Sequence, residues 1–132
     1  MINPWRYRLL AGLLIFVVMQ MHSLVTEALP NTPFGMLMFH GSAALCDLML
    51  IYSFPSILDG KLCRNMEALC IASIVGNAIG WFAYLAYAPP FMYNFLMYAL
   101  TYIQWGRLLM ADNNDPDFLG RFMVFGNHTG RY

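Results

Sequence analysis

The sequence predicts an all-α polytopic membrane protein: four transmembrane helices in an antiparallel bundle, followed by a short cytoplasmic interfacial helix at the C-terminal end. Three observations lead there. Hydrophobic residues make up 60% of the 132 positions and charged residues 11%, against roughly 45–50% and about 25% in ordinary soluble domains. Apolar runs of about the 20 residues that a bilayer requires occupy residues 7–26, 34–54, 67–87 and 91–110. All seven Lys and Arg fall on one side of that pattern. Arg6 and Arg8 precede the first run, Lys61 and Arg64 separate the second from the third, and Arg107, Arg121 and Arg131 lie at or beyond the end of the fourth. Basic segments resist translocation, so both termini are expected in the cytoplasm, with the chain in a plasma or inner membrane. Residues 1–132 are read as a single membrane domain.

The first span begins beside Trp5 and Tyr7, whose amphipathic rings suit the headgroup level. Residues 23–28 offer no small-x-small cleavage site, so the run is expected to stay as a membrane helix rather than act as a cleaved signal. Residues 27–33 form a short exterior loop without a basic residue, and Thr32 is the expected N-cap of the second helix, with Pro33 at its first position. Pro55 marks the end of that helix, and Asp59-Gly60 reads as a turn. Asn65 is the expected cap of the third helix, with Glu67 in its first turn. The connection at residues 88–90 is so short that the third and fourth helices must be antiparallel neighbours. Tyr84, Tyr87 and Tyr93 read as an outer aromatic belt, and Tyr52, Tyr102 and Trp105 as an inner one. In the tail, residues 111–132, a short helix is expected from Asp115 to Gly126, with Phe118, Leu119, Phe122, Met123 and Phe125 on one face.

Several functions are disfavoured. A net charge of zero and the absence of a dense basic cluster argue against nucleic acid as a partner. Cys46, Cys63 and Cys70 all belong to the cytoplasmic, reducing half, so structural disulfides are not expected. No nucleophile elbow, paired carboxylates, phosphate-binding glycine loop or zinc-ligand spacing occurs, so an enzyme is not expected.

What remains is the set of polar residues inside the spans, which hydrocarbon makes costly. Asp47 stands thirteen positions after Phe34, about 20 Å from the outer end. Unpaired against lipid it would cost roughly 2.5–3.5 kcal/mol. It is therefore expected to face the bundle, either as an ion pair with Arg107 (Arg8 or Lys61 in second place) or as a group that handles protons or cations. His40 lies one heptad earlier, about 10 Å away along the axis. With Asn77 and Gln104, these two define a candidate polar track: His40, Asp47, Asn77, Gln104. Ser42 and Ser73 are available for interhelical hydrogen bonds with it.

His22 and His40 should sit at similar depth on antiparallel neighbours, an arrangement that suits two axial ligands of a haem or part of a metal site; hydrogen bonding to backbone or water is the simpler expectation, and no cofactor is assigned. On the third helix Ala68, Ala72, Gly76 and Gly80 recur every four residues, a register that lets helix backbones approach closely within a monomer or between protomers. The expected function is that of a small non-enzymatic integral membrane protein. It would act in the lipid bilayer as a homo-oligomer, or as a subunit or regulator of a larger membrane complex. A polar permeation path, whether a holin-like pore or an ion- or proton-conducting route, is its sharper form. The alternatives are a haem-b-type redox subunit built on His22 and His40, and a small proton-coupled transporter built on Asp47.

Overall fold

The computed structural model describes residues 4–111. The expected C-terminal helix, with Arg121 and Arg131, lies outside the described residues. Within them the chain is helical: α1 Trp5–Thr26, α2 Pro33–Ser53, α3 Gly60–Leu85 and α4 Phe91–Met110, with a single 3-10 turn, Phe54–Ser56, after α2. Three of the four, α1, α2 with its 3-10 turn and α3, are long and apolar enough to cross a membrane. The fourth has 20 residues, but Tyr93, Asn94, Tyr98, Tyr102, Gln104 and Arg107 make it less apolar.

The inside of the molecule is more polar than the outside. Large apolar side chains such as Leu13, Phe16, Met49, Ile79, Phe82 and Phe95 are exposed, whereas His40, Asp47, Ser73, Asn77 and Gln104 are buried. Water would drive the opposite distribution, and contiguous apolar surface on every helix is what lipid accommodates.

α2 packs most extensively on α3, α3 on α4, and α1 on α2 and α4. Arg8 Nη2 donates to the carbonyl of Ala111 at 2.9 Å, which ties the start of α1 to the end of α4. At the opposite end the Tyr84 hydroxyl donates to the carbonyl of Asn31 at 3.3 Å. The apolar core concentrates at the end that holds the described termini, where Ala11, Phe54, Leu58, Met66, Cys70 and Leu108 are almost completely enclosed.

Thr32 caps α2 as its sequence predicts, accepting a bond from Gly35 N–H at 3.1 Å with Pro33 in the first turn. A Cβ on Gly35 would meet the carbonyl oxygen of Pro30, so only glycine lets the loop close over the helix start. α3 departs from expectation. It begins at Gly60 (φ +59°) rather than after Asn65. Asp59, Gly60, Lys61 and Arg64 look like loop residues. Leu62, Cys63, Met66, Leu69 and Cys70, however, recur at helical spacing and bury one face, which carries the helix two turns further. Asn65 is consequently an interior residue rather than a cap. At the other end, the amides of Tyr87 and Ala88 return to the carbonyls of Tyr84 and Ala83. This is a Schellman closure with Tyr87 in the left-handed conformation at φ +58°.

Candidate functional site

Cys70, Ser73 and Asn77 follow one another at spacings of three and four, and so share one face of α3. Each engages a neighbouring helix. Gln104 Nε2 on α4 points at Cys70 Sγ from 3.8 Å, a weak contact. The Ser73 hydroxyl donates to Asp47 Oδ2 on α2 at 2.6 Å. Asn77 Oδ1 lies 3.1 Å from His40 Nδ1 on α2 and accepts the Tyr93 hydroxyl of α4 at 2.7 Å. Its own Nδ2 donates to the carbonyl of Ser73 at 3.0 Å. Because that carbonyl can only accept, the amide orientation is fixed, and Oδ1 must face His40 and Tyr93. His40 therefore carries its proton on Nδ1.

All four residues of the expected polar track are buried, but they form clusters along α3 rather than one chain. His40 and Asn77 bond directly, Asp47 joins through Ser73, and Gln104 stands apart on Cys70. The structure gives Asp47 a partner that the charge pattern did not suggest. Arg107, expected to pair with it, lies in the last turn of α4. Gln104 is level with Cys70, so register places Arg107 about 9 Å beyond the level of Ser73 along the axis.

His22 Nε2 lies 3.2 Å from the carbonyl of Phe39 and 3.0 Å from Ser42 Oγ. Since the Ser42 hydroxyl donates to the same carbonyl, His22 Nε2 is the donor in both contacts. The Phe39 ring lies 5.1 Å from each imidazole, tilted by 58° to His22 and edge-on at 89° to His40. The two histidines do share a level, yet each uses one nitrogen to bond its neighbours and each packs on Phe39. Facing imidazoles across a flat macrocycle, as haem ligation needs, are not what this arrangement presents. Among the described residues no group of three or more His, Cys, Asp or Glu side chains is placed to hold a metal ion.

The small-residue stripe divides. Gly76 and Gly80 are buried; a Cβ on Gly80 would stand 2.6 Å from Tyr93 Cδ2 and 2.7 Å from His40 Cε1. Ala72 is exposed and Ala68 half-buried. The glycines are thus the part of the stripe used inside the bundle. Tyr93, read as belt, turns inward instead; its position at the start of α4 hid that role. Spacing alone could have revealed the Cys70, Ser73, Asn77 face.

Beside these clusters a partly open cavity of about 380 Å³ lies among the four helices. Ile15, Val18, Met97 and Leu100 supply apolar wall, while Asp47, Ser73, Asn77, Thr101 and Gln104 supply polar atoms. Among the described residues, Asp47 is the one carboxylate in the lining, and neither Lys nor Arg joins it there. No protein-family model, curated protein or solved structure matches the chain.

Proposed function

We propose that the chain is a four-span integral membrane protein of a plasma or inner membrane, with both termini cytoplasmic, that passes a small solute by way of Asp47 and carries out no covalent chemistry. On this reading it works as a homo-oligomer or within a larger membrane complex. The observation that supports it best is the position of Asp47: a carboxyl inside a span, on the wall of a cavity, with the Ser73 hydroxyl as its hydrogen-bond partner. Intramembrane carboxyls are costly, and those that persist commonly mark ion or substrate paths. The fourth span is as long as a bilayer requires, and its polar residues Tyr93 and Gln104 turn toward the other helices.

Reconstituted liposomes carrying a pH-sensitive dye test the path. The protein should support proton- or cation-linked flux that Asp47→Asn abolishes while the variant still folds. Flux that is absent, or unchanged in the variant, overturns the reading. Orientation has its own test. Alkaline phosphatase fused after Pro30 or Pro89 should be active, and fused after Gly60 or Tyr132 inactive; the reverse pattern would invert the topology.

A further inference from the structure

We infer that the cavity binds a lipophilic organic monocation, an ammonium group on a compact apolar body, with the charge at Asp47. The inference rests on the proposed role of Asp47, in which its carboxylate faces a ligand, and it names the class of ligand. Size is the first argument. A volume of about 380 Å³ falls in the range of roughly 300–1,000 Å³ that small organic molecules occupy. A proton or bare metal ion needs no such space.

Hydrogen-bond polarity is the second argument. The Ser73 hydroxyl gives its proton to Asp47, that of Tyr93 to Asn77, that of Thr101 to the carbonyl of Met97 at 2.9 Å and that of Thr26 to the carbonyl of His22 at 2.7 Å. Each hydroxyl has one proton, so toward the cavity all four offer lone pairs. His22 donates from Nε2 to α2, which leaves Nδ1 as an acceptor in the neutral ring. Asp47 adds a second carboxylate oxygen, Oδ1. Against these acceptors stand fewer donors: the Gln104 amide, directed at Cys70, the weak Cys46 thiol, and the Ser23 and Tyr98 hydroxyls, which can equally accept. Anions and ligands that only accept find little to bind; a donor or a cation is favoured.

Shape supplies the third argument. In the same lining, Ile15, Val18, Met97 and Leu100 offer apolar wall, and Phe39 and Tyr98 add aromatic surface. An apolar body gains from the former, and a cation gains from an aromatic face. Among the described residues the lining holds neither Lys nor Arg to compete for Asp47.

A pair of isosteric probes tests this in the full-length protein in lipid nanodiscs: benzyltrimethylammonium and neutral neopentylbenzene, which differ by nitrogen for carbon. The cation should bind roughly tenfold or more tightly than the isostere, because only it gains from the carboxylate. Asp47→Asn should bring the two level by weakening the cation alone. Ala43→Phe, which fills the cavity, should weaken both; should Asp47→Asn fail to fold, this variant and the wild-type comparison suffice. Equal binding of the two probes, no binding of either, or discrimination that survives Asp47→Asn overturns the inference. If neither probe binds while Asp47→Asn still abolishes flux, permeation through Asp47 stands and the organic-cation site falls. If the probes are discriminated but no flux occurs, the cation site stands and permeation falls.

Discussion

The Ser73 hydroxyl donates to Oδ2 of Asp47 at 2.6 Å, across the most extensive helix contact in the bundle, that of α2 with α3. A serine inside a helix commonly returns its proton to the carbonyl one turn back. Here the proton leaves the helix, and the length matches a charge-assisted O–H···O⁻ bond. The carbonyl of Ser73 is then bound from Asn77, so two neighbouring positions on α3 are organised by one residue.

Removing that hydroxyl should be felt. Ser73→Ala is expected to lower stability by about 1–3 kcal/mol, because it strips a buried acceptor of its donor. In a double-mutant cycle with Asp47→Asn, the coupling should reach about 0.5–2 kcal/mol, as for residues in direct contact. The parallel cycle of Asp47→Asn with Arg107→Gln should give clearly less, given the axial offset of Arg107. Unfolding in mild detergent followed by circular dichroism measures both. A larger coupling to Arg107 than to Ser73 would restore the ion pair that the charge pattern suggests.

Asn77 should be more sensitive than either of the side chains that it serves. Asn77→Ala orphans the Nδ1–H of His40 and the Tyr93 hydroxyl together, at about 1–3 kcal/mol for each group. Tyr93→Phe removes one bond and leaves Asn77 Oδ1 with its other partner, so its cost should be nearer 0.5–1.5 kcal/mol. The ordering is the test. Equal losses would mean that Tyr93 and His40 are not held through Asn77.

How much of this could be read in the sequence depends on which force left the signal. Turn chemistry was legible: Thr32-Pro33 begins α2 and Pro55 follows its end. Buried polarity was legible too, since Asp47, His40, Asn77 and Gln104 all turn inward, as a low-dielectric surrounding demands. The start of α3 was not, because Lys61 and Arg64 resemble a loop when judged by charge. Helix faces were the least legible. Lipid-facing residues such as Val75 and Ile79 are as apolar as core residues such as Leu69, so the periodicity that reports a face in a water-soluble helix fades here. Without it, neither the inward turn of Tyr93 nor the division of the Ala68, Ala72, Gly76, Gly80 stripe could be seen.

The three interior glycines of α3 and α4 should respond to alanine in a graded way. At Gly80 the new Cβ would press on Tyr93 and His40 from 2.6 and 2.7 Å, and both rings are tethered to Asn77. Gly80→Ala should therefore cost about 1–3 kcal/mol through overpacking. At Gly76 the nearest atom is the flexible end of Leu96 at 3.2 Å, so the cost should be smaller. At Gly106 nothing lies within 4 Å, and alanine should gain about 0.5–1 kcal/mol from helix propensity. Melting temperatures of the three variants, in one detergent, check the series.

Tyr87 offers the opposite case, a place where the native residue is the strained one. It occupies the C′ position of the Schellman closure with φ +58°, where a side chain on an L-residue costs roughly 1–2 kcal/mol. Its ring is almost wholly exposed, so few protein contacts offset that strain. Tyr87→Gly should stabilise the bundle by about 1 kcal/mol, since glycine adopts this conformation freely. Tyr87→Ala supplies the control, because it removes the ring but keeps the Cβ. If backbone strain dominates, glycine gains and alanine does not. If alanine and glycine both lose stability, the ring itself holds the α3–α4 turn, as an aromatic anchor at a membrane surface would. Thermal unfolding in nanodiscs separates the two outcomes, and the same pair in detergent shows whether any loss needs the lipid.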